Sequence, residues 1–302
     1  MKRALSLILA IGALLAGCSL LAPVTPPAVT PAPSPTPMQA GDMNLLLLGT
    51  DRRQTSPDWR TDTLIVVAVR PKEQLVAMLS IPRDLWVNIP GYGPERINAA
   101  DYLGEKERSG GGPALVAATL KENLGIRVDA YAQIDFAGLE RIIDAVGGVD
   151  VNVPRPIDDW IDEGDGRPPV HVTIAAGPQH LDGRTALQYV RSRHGTTDMD
   201  RSQRQQQVLL ALRDAAARPE MVPRLPWLAS TLAGMVKTNL RPADALALLD
   251  MALHSQPQSF RTRVFDATMV SDWTTPSGAM VLLPDRDRIE EVWTELTAPA
   301  SP

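Results

Sequence analysis

Three runs of apolar residues follow one another in the first part of the chain beyond residue 40. Residues 43–48, 63–69 and 75–81 carry few polar side chains, which is typical of strands buried on both faces. Residues 70–74, between the second and third runs, have the length of a hairpin turn. In an antiparallel pair the start of one strand lies beside the end of the other. The pattern therefore predicts that Arg60 and Asp62 lie close to Arg83 and Asp84.

Strand and helix patterns alternate over the rest of the chain. Pro113 is well placed for the first position of a helix that reaches about residue 123. We predict strands at 130–135, 149–153 and 261–266, and a strand-like apolar run at 186–190. We predict helices at 137–146, 205–217, 225–237, 242–254 and 285–296. Interleaved strands and helices favour an α/β fold, a three-layer α/β/α sandwich around a central mixed sheet with a helical C-terminal extension. In this division residues 41–217 form the main part of the domain and 218–298 extend the same domain.

The first 40 residues predict export and anchoring. Lys2 and Arg3 precede an uncharged apolar run, the arrangement of an export signal. Residues 15–18, LAGC, are similar to a bacterial lipobox, so that 1–18 would be a lipoprotein signal peptide and Cys18, the only cysteine, would carry the lipid. Residues 19–40 are a Pro-rich linker. An uncleaved transmembrane helix over residues 4–24 is the alternative. Either anchor places the domain on the outer face of the cytoplasmic membrane.

Composition excludes several function classes. A net charge of −5 and 4% aromatic residues give no reason to expect a nucleic-acid partner. The chain has no Gly-rich nucleotide loop and no serine nucleophile elbow. The four histidines lack zinc-ligand spacing.

The remaining chemistry lies in charged loops at residues 51–53, 60–62 with 83–84, and 191–205. Guanidinium groups bind phosphate or carboxylate oxygens two at a time, and Mg²⁺ needs only one or two carboxylates when phosphate completes its shell. Arginines make up 25 of the 30 basic residues, so clustering also follows from composition. The residues of 191–205 alone favour an anion site and a solvated salt-bridge network equally.

An ordered set of short motifs sharpens this picture. They are LLGTDRR at 47–53, RTDT at 60–63, SIPRD at 80–84, RINAA at 96–100, GGVDV at 147–151, LDGRTAL at 181–187, YVRSR at 189–193, DR at 200–201 and RQ at 204–205. Together, over about residues 43–217, they resemble the LytR-CpsA-Psr family. The resemblance implies an extracytoplasmic phosphotransferase that moves a glycopolymer from undecaprenyl diphosphate to peptidoglycan or a related wall polymer. It also implies Mg²⁺ and an apolar channel for the prenyl chain.

The resemblance further implies a role for each matching residue. Asp51 and Asp62 would hold the metal, and the general base would be Asp84 or one of these two. The diphosphate would be clamped by Arg53, Arg60, Arg83, Arg191, Arg193, Arg201 and Gln205. His194, Asp198 and Arg204 are interpreted as scaffold. Residues 154–172 are not obviously patterned on the family and could shape the choice of donor or acceptor. A polyprenyl-diphosphate hydrolase and a non-catalytic polyprenyl-phosphate-binding protein remain alternatives.

Overall fold

The computed structural model describes residues 41–52, 59–163, 168–193, 197–224, 228 and 234–299 of the 302-residue chain. Its strands are β1 Met43–Thr50, β2 Thr61–Arg70, β3 Leu75–Ile81, β4 Trp86–Ile89, β5 Gly93–Arg96, β6 Ala130–Asp135, β7 Val149–Val153, β8 Ile157–Ile161, β9 Val170–Ile174, β10 Gly177–Leu181, β11 Val236–Thr238, β12 Phe260–Val264, β13 Val270–Thr274 and β14 Met280–Pro284. Its α-helices are α1 Ala100–Glu107, α2 Gly112–Leu124, α3 Phe136–Ala145, α4 Gly183–Arg191, α5 Asp198–Ala216, α6 Pro242–His254 and α7 Arg286–Thr297.

The central sheet has six strands in the order β11-β6-β1-β2-β3-β12. Strands β1 and β6 are parallel, as are β3 and β12, whereas β1–β2, β2–β3 and β6–β11 are antiparallel. The predicted hairpin is confirmed, with Leu64 opposite Ile81 and Val69 opposite Val76. The mixed α/β class and the central mixed sheet predicted from sequence are therefore confirmed.

Helices cover both faces of this sheet. On one face Leu46, Leu48 and Leu64 pack with residues of α2 and α7. On the other face Ile65 and Val67 pack against residues of α5 and α6. Each fully buried aliphatic side chain stabilises the fold by about 1.5–3 kcal/mol. Successive apolar residues of β1 and β2 point to opposite faces of the sheet, so helices cover both faces and the fold has three layers. A further cluster joins α3, α4 and α5 to the two-stranded sheets β7–β10 and β8–β9.

The C-terminal residues contribute to the central sheet as well as to its helical layers. The predicted helices at 242–254 and 285–296 correspond to α6 and α7, and the predicted strand at 261–266 corresponds to β12. The helix predicted at 225–237 is wrong at its end, because residues 236–238 form β11 and pair with β6. Most of its earlier residues lie outside the described part. Strands β11 and β12 form the two edges of the sheet, so the region after residue 217 completes the domain.

The run at 186–190, predicted as strand-like, belongs to helix α4. Asp182 caps this helix, since its Oδ1 accepts a hydrogen bond from the Thr185 amide at 2.8 Å. The helix is covered by α3, α5 and β8, and residues 186–190 are all buried. A helix buried on most sides lacks the periodicity that separates it from a buried strand.

Helix α5 begins seven residues before its predicted start at 205. The Thr197 side chain accepts from the Asp200 amide, and the Asp200 side chain accepts from the Thr197 amide, so the two form a capping box. Within the described ranges each helix is too short or too polar to span a bilayer. Residues 1–40, including Cys18, lie outside those ranges.

Candidate functional site

A cavity of about 440 Å³ opens where β1 and β6 end and β2 begins, beside helices α3, α4 and α5. The structure brings to its lining nearly all the residues selected from sequence: Asp51, Arg60, Asp62, Arg83, Arg191, Arg193, Arg201 and Gln205. Arg53 and His194 lie outside the described residues. Asp84 is not in the lining. Charged groups from separated parts of the chain therefore meet in one place.

Asp51 and Arg60 close the loop that joins β1 to β2. The Arg60 amide donates to Asp51 Oδ1 at 2.5 Å, and the Asp51 amide donates to the Arg60 carbonyl at 3.1 Å. Just before this loop a Cβ on Gly49 would lie 2.9 Å from the Thr63 Cβ, closer than real Cβ contacts. Glycine thus lets β1 approach β2 at the point where both enter the cavity wall.

Asp62 and Arg83 form the centre of the cluster, as the hairpin register predicts. Arg83 Nη1 donates to Asp62 Oδ1 at 2.7 Å, and Arg193 Nη2 lies 3.9 Å from Asp62 Oδ2. Burial alone would lower the pKa of Arg83, but the charges of Asp62, Asp84 and Asp198 outweigh it and raise the pKa. Arg83 therefore carries a fixed positive charge, held in place by acidic groups on several sides.

Asp84 lies outside the cavity lining and pairs with two arginines. One of its carboxylate oxygens is 3.3 Å from Arg83 Nε, and the other is 3.1 Å from Arg96 Nε. Arg83 and Asp84 lie in the turn after β3, and this turn directs the carboxylate to the two guanidinium groups. This placement does not favour Asp84 as the general base. It fits a group that orients Arg83.

Helix α5 supplies a buried arginine at its first turn. Arg201 is only 3% exposed, and its Nη2 lies 2.8 Å from Asp198 Oδ1, which is also 3.8 Å from Arg83 Nε. Desolvation by burial lowers the pKa of Arg201, although the charge of Asp198 opposes this effect. A buried cation is costly unless it is paired. Asp198 therefore has a defined task within the scaffold, since it joins two arginines of the site.

Arg204 has the scaffold position that the sequence suggested. Its guanidinium donates to the Ser192 carbonyl and lies 5.8 Å from the centre of the Tyr189 ring. It thereby fixes α5 against the end of α4. Gln205, one residue further on, lines the cavity and is buried.

The end of helix α4 presents two more arginines, held by strand β8. Arg191 Nη2 donates to the Asp162 carbonyl at 2.6 Å, and its guanidinium stacks 4.6 Å from the Phe136 ring centre. The Arg193 amide donates to Asp159 Oδ2 at 2.9 Å, as does Ser192 Oγ at 2.8 Å.

The sequence indicated only that residues 154–172 could shape the choice of donor or acceptor, and it singled out none of their side chains. Asp159, Trp160, Ile161 and Asp162 all line the cavity, as does Asp135 from the end of β6. Residues 157–161 and 170–174, separated by a short polar stretch, carry the signal of a hairpin that could have located them.

The cavity lining also contains apolar side chains. Its apolar members are Ile134, Phe136, Leu139, Ile161, Leu187 and Val190. The site thus combines guanidinium groups for an anion with an adjoining surface for a hydrocarbon. In the part of the chain that the structure describes, no group of three or more His, Cys, Asp or Glu residues could hold a metal. Asp51 and Asp62 together still meet the usual need of Mg²⁺ for one or two carboxylates.

Comparisons with known proteins show which sequences this chain resembles. The LytR_cpsA_psr family model matches residues 27–298. The regulatory protein MsrR of Staphylococcus aureus is 36% identical over 203 residues, which cover 66% of this chain and 57% of MsrR. TagV of Bacillus subtilis, a polyisoprenyl-teichoic acid–peptidoglycan teichoic acid transferase, is 31% identical over 261 residues, which cover 84% of this chain and 64% of TagV. The chain thus spans less than two thirds of the length of either relative.

Solved structures agree in fold. The crystal structure of B. subtilis TagV superposes with a TM-score of 0.70 at 30% identity and covers 86% of this chain and 98% of that one. A structure of TagT with bound octaprenyl pyrophosphate lipid gives a TM-score of 0.60 at 28% identity and covers 84% and 88% of the two chains.

Proposed function

Because the chain belongs to the LytR-CpsA-Psr family, we propose that it is a phosphotransferase that moves a glycopolymer from undecaprenyl diphosphate to peptidoglycan or a related wall polymer. The observation that carries this proposal is the convergence of five arginines and two strand-end aspartates in one cavity with an apolar wall. A prenyl diphosphate has the matching parts, two phosphates and a hydrocarbon chain.

The arginines would act as the clamp for the two phosphates. Arg83 and Arg201 are oriented by Asp198, and Arg193 is oriented through its backbone by Asp159. Guanidinium groups fixed before the substrate arrives need little rearrangement as charge develops on the transferring phosphate. Arg60, Arg191, Gln205 and, by motif, Arg53 complete the proposed clamp.

Asp51 and Asp62 are the residues that would hold Mg²⁺. They come from the ends of adjacent strands and line the same cavity. When bound, the ion would neutralise phosphate charge and help to align the reacting oxygens. The fit rests on the donor set, two carboxylates beside a phosphate clamp.

The proposed reaction is an in-line transfer at the phosphorus that bears the sugar. A hydroxyl of the acceptor would form the new P–O bond, the bridging P–O bond would break, and polyprenyl phosphate would leave. The acceptor proton would pass to a carboxylate at the site. Since Asp84 lies outside the cavity lining, Asp51 and Asp62 are the better candidates for that base among the residues first considered.

We also propose a lipid anchor at Cys18. Residues 19–40 would form an extended tether at about 3.1 Å per residue, which would hold the site above the membrane that contains the donor. Mass spectrometry of the mature N-terminus tests this point. A diacylated Cys18 is expected, whereas an intact residue 1 would instead indicate an uncleaved transmembrane anchor.

A transfer assay tests the enzymatic proposal. The full-length protein in detergent is incubated with Mg²⁺, a polyprenyl-diphosphate oligosaccharide and peptidoglycan fragments. Covalent attachment is expected, and it should vanish in Asp62→Ala and Arg83→Ala but persist in the control Arg288→Ala, which breaks an exposed ion pair with Glu291 on α7. Release of sugar phosphate without attachment would favour a hydrolase. Binding without either product would favour a non-catalytic carrier.

A further inference from the structure

Trp160 is a large aromatic side chain at the solvent edge of the cavity. It lines the cavity and is nevertheless 67% exposed. On the β8–β9 hairpin it pairs directly with His171, and the two rings stack with centres 4.8 Å apart and planes at 26°. His171 is in turn held by Asp158, whose Oδ1 is 2.6 Å from Nε2. One face of the indole is thus supported by a ring, and the support fixes its plane.

The residues that flank Trp160 connect it to the arginines of the site. Asp159 accepts from Ser192 Oγ and from the Arg193 amide, and the Asp162 carbonyl accepts from Arg191. Trp160 therefore lies on a short stretch of backbone that holds two proposed phosphate ligands. A group joined directly to a bound diphosphate and extending into solvent would pass this ring.

We propose that Trp160 is the stacking platform for the sugar that is directly attached to the donor's diphosphate. This inference rests on the proposed function. The faces of sugar rings carry C–H groups with slight positive charge, which pack against the negative face of an indole. The hydrocarbon of the donor has a different place, since Ile134, Leu139 and Leu187 line the cavity wall. Trp160 is exposed, as a contact for a polar, solvent-bound polymer must be.

The experiment compares two soluble probes, farnesyl diphosphate and N-acetylglucosaminyl farnesyl diphosphate, with full-length protein in detergent. Binding is measured by calorimetry for the wild type, Trp160→Ala, Trp160→Phe and the control Trp273→Ala. Trp273 is 37% exposed and packs against Trp86 on other hairpins. Trp160→Ala should weaken binding of the sugar-bearing probe about 3- to 10-fold and leave the sugar-free probe unchanged. Trp160→Phe should recover part of the loss, and Trp273→Ala should change neither affinity.

Two outcomes would overturn the platform. An equal loss for both probes would place Trp160 against the prenyl chain or the phosphates. No loss for either probe, with the circular dichroism spectrum unchanged, would remove it from ligand binding. The proposed function fails separately, if the wild type transfers nothing to peptidoglycan fragments. A selective loss for the sugar-bearing probe would support the platform even then.

Discussion

Asp159 offers a sharp test of how the proposed phosphate clamp is held. Its Oδ2 accepts two hydrogen bonds, from Ser192 Oγ at 2.8 Å and from the Arg193 amide at 2.9 Å. Asp159→Ala removes both and frees the turn that carries Arg193. Hydrogen bonds to a charged group are worth about 1.5–3 kcal/mol each. Since the bond from Ser192 is only part-buried and the bond from the Arg193 amide is exposed, we discount the sum for solvent to about 1–2 kcal/mol.

The same substitution also removes a negative charge from an anion site, which favours phosphate binding. Asp159→Asn removes that charge but keeps an oxygen that can accept both bonds, so the comparison of Ala with Asn isolates the positioning effect. The farnesyl diphosphate affinity of Asp159→Ala should be about 5- to 30-fold weaker than that of Asp159→Asn, measured by calorimetry with Mg²⁺. Asp159→Asn should bind as tightly as the wild type or more tightly.

A double-mutant cycle with Arg193→Ala shows whether Asp159 acts through that arginine. If it does, Asp159→Ala should cost little more in the Arg193→Ala background, and the coupling free energy should reach about 1–2 kcal/mol. Strict additivity of the two losses would refute the reasoning, as would equal affinities for the Ala and Asn variants. Thermal unfolding of each variant separates loss of binding from loss of fold.

Three further predictions follow from single positions. In Gly183→Ala the new Cβ would meet the Glu140 carbonyl oxygen at 2.2 Å, so calorimetric unfolding should show a loss of about 1–3 kcal/mol, whereas Gly41→Ala, with nothing within 4 Å, should change little. Burial raises the pKa of Asp101 above its ordinary value of 3.8, so stability falls as pH rises from about 3.8 through the folded-state pKa. Asp101→Asn should therefore raise the unfolding temperature at pH 7. If this increase over the wild type persists unchanged below pH 3.8, the reasoning is wrong. Asp84→Asn should lower kcat/KM about 3- to 10-fold through the loss of a part-buried ion pair and leave the pH profile of kcat unmoved, whereas loss of a general base would shift that profile.

The parts of the fold that sequence predicted are those with unambiguous periodicity. The β2–β3 hairpin was predictable because two apolar runs flank a turn of fixed length, and its register placed Asp62 beside Arg83. Residues 186–190 of helix α4 were wrongly predicted as strand-like, because five successive buried residues are as typical of a buried strand as of a buried helix. Strand β11 was missed because pairing with β6, a tertiary contact, decides the conformation of residues 236–238.

The site residues that belong to sequence motifs were predictable, whereas those placed by tertiary contacts were not. Strand ends and the family motifs located the aspartates and arginines. The motifs could not show that Asp84 is left out of the cavity lining and pairs with Arg83 and Arg96. Nor could they show that Asp159 and Trp160 enter it, because the β8–β9 hairpin lies outside the motifs and reaches the site through contacts with residues 191–193.

The charge of the cavity wall bears on what the site binds. Among the described residues, five arginines and five aspartates line it: Arg60, Arg83, Arg191, Arg193 and Arg201 with Asp51, Asp62, Asp135, Asp159 and Asp162. If an anion bound alone, the carboxylates of the lining would weaken its attraction to the arginines. The site would then hold a half-buried excess of negative charge, which is costly. Asp135 caps α3 and Asp159 holds the turn before α5, but Asp51 and Asp62 face the cavity at the strand ends. A diphosphate diester carries two negative charges and Mg²⁺ carries two positive ones, so the pair together leaves the balance of the wall unchanged. The aspartates among the arginines therefore support our proposal that the site binds a metal diphosphate and not a diphosphate alone.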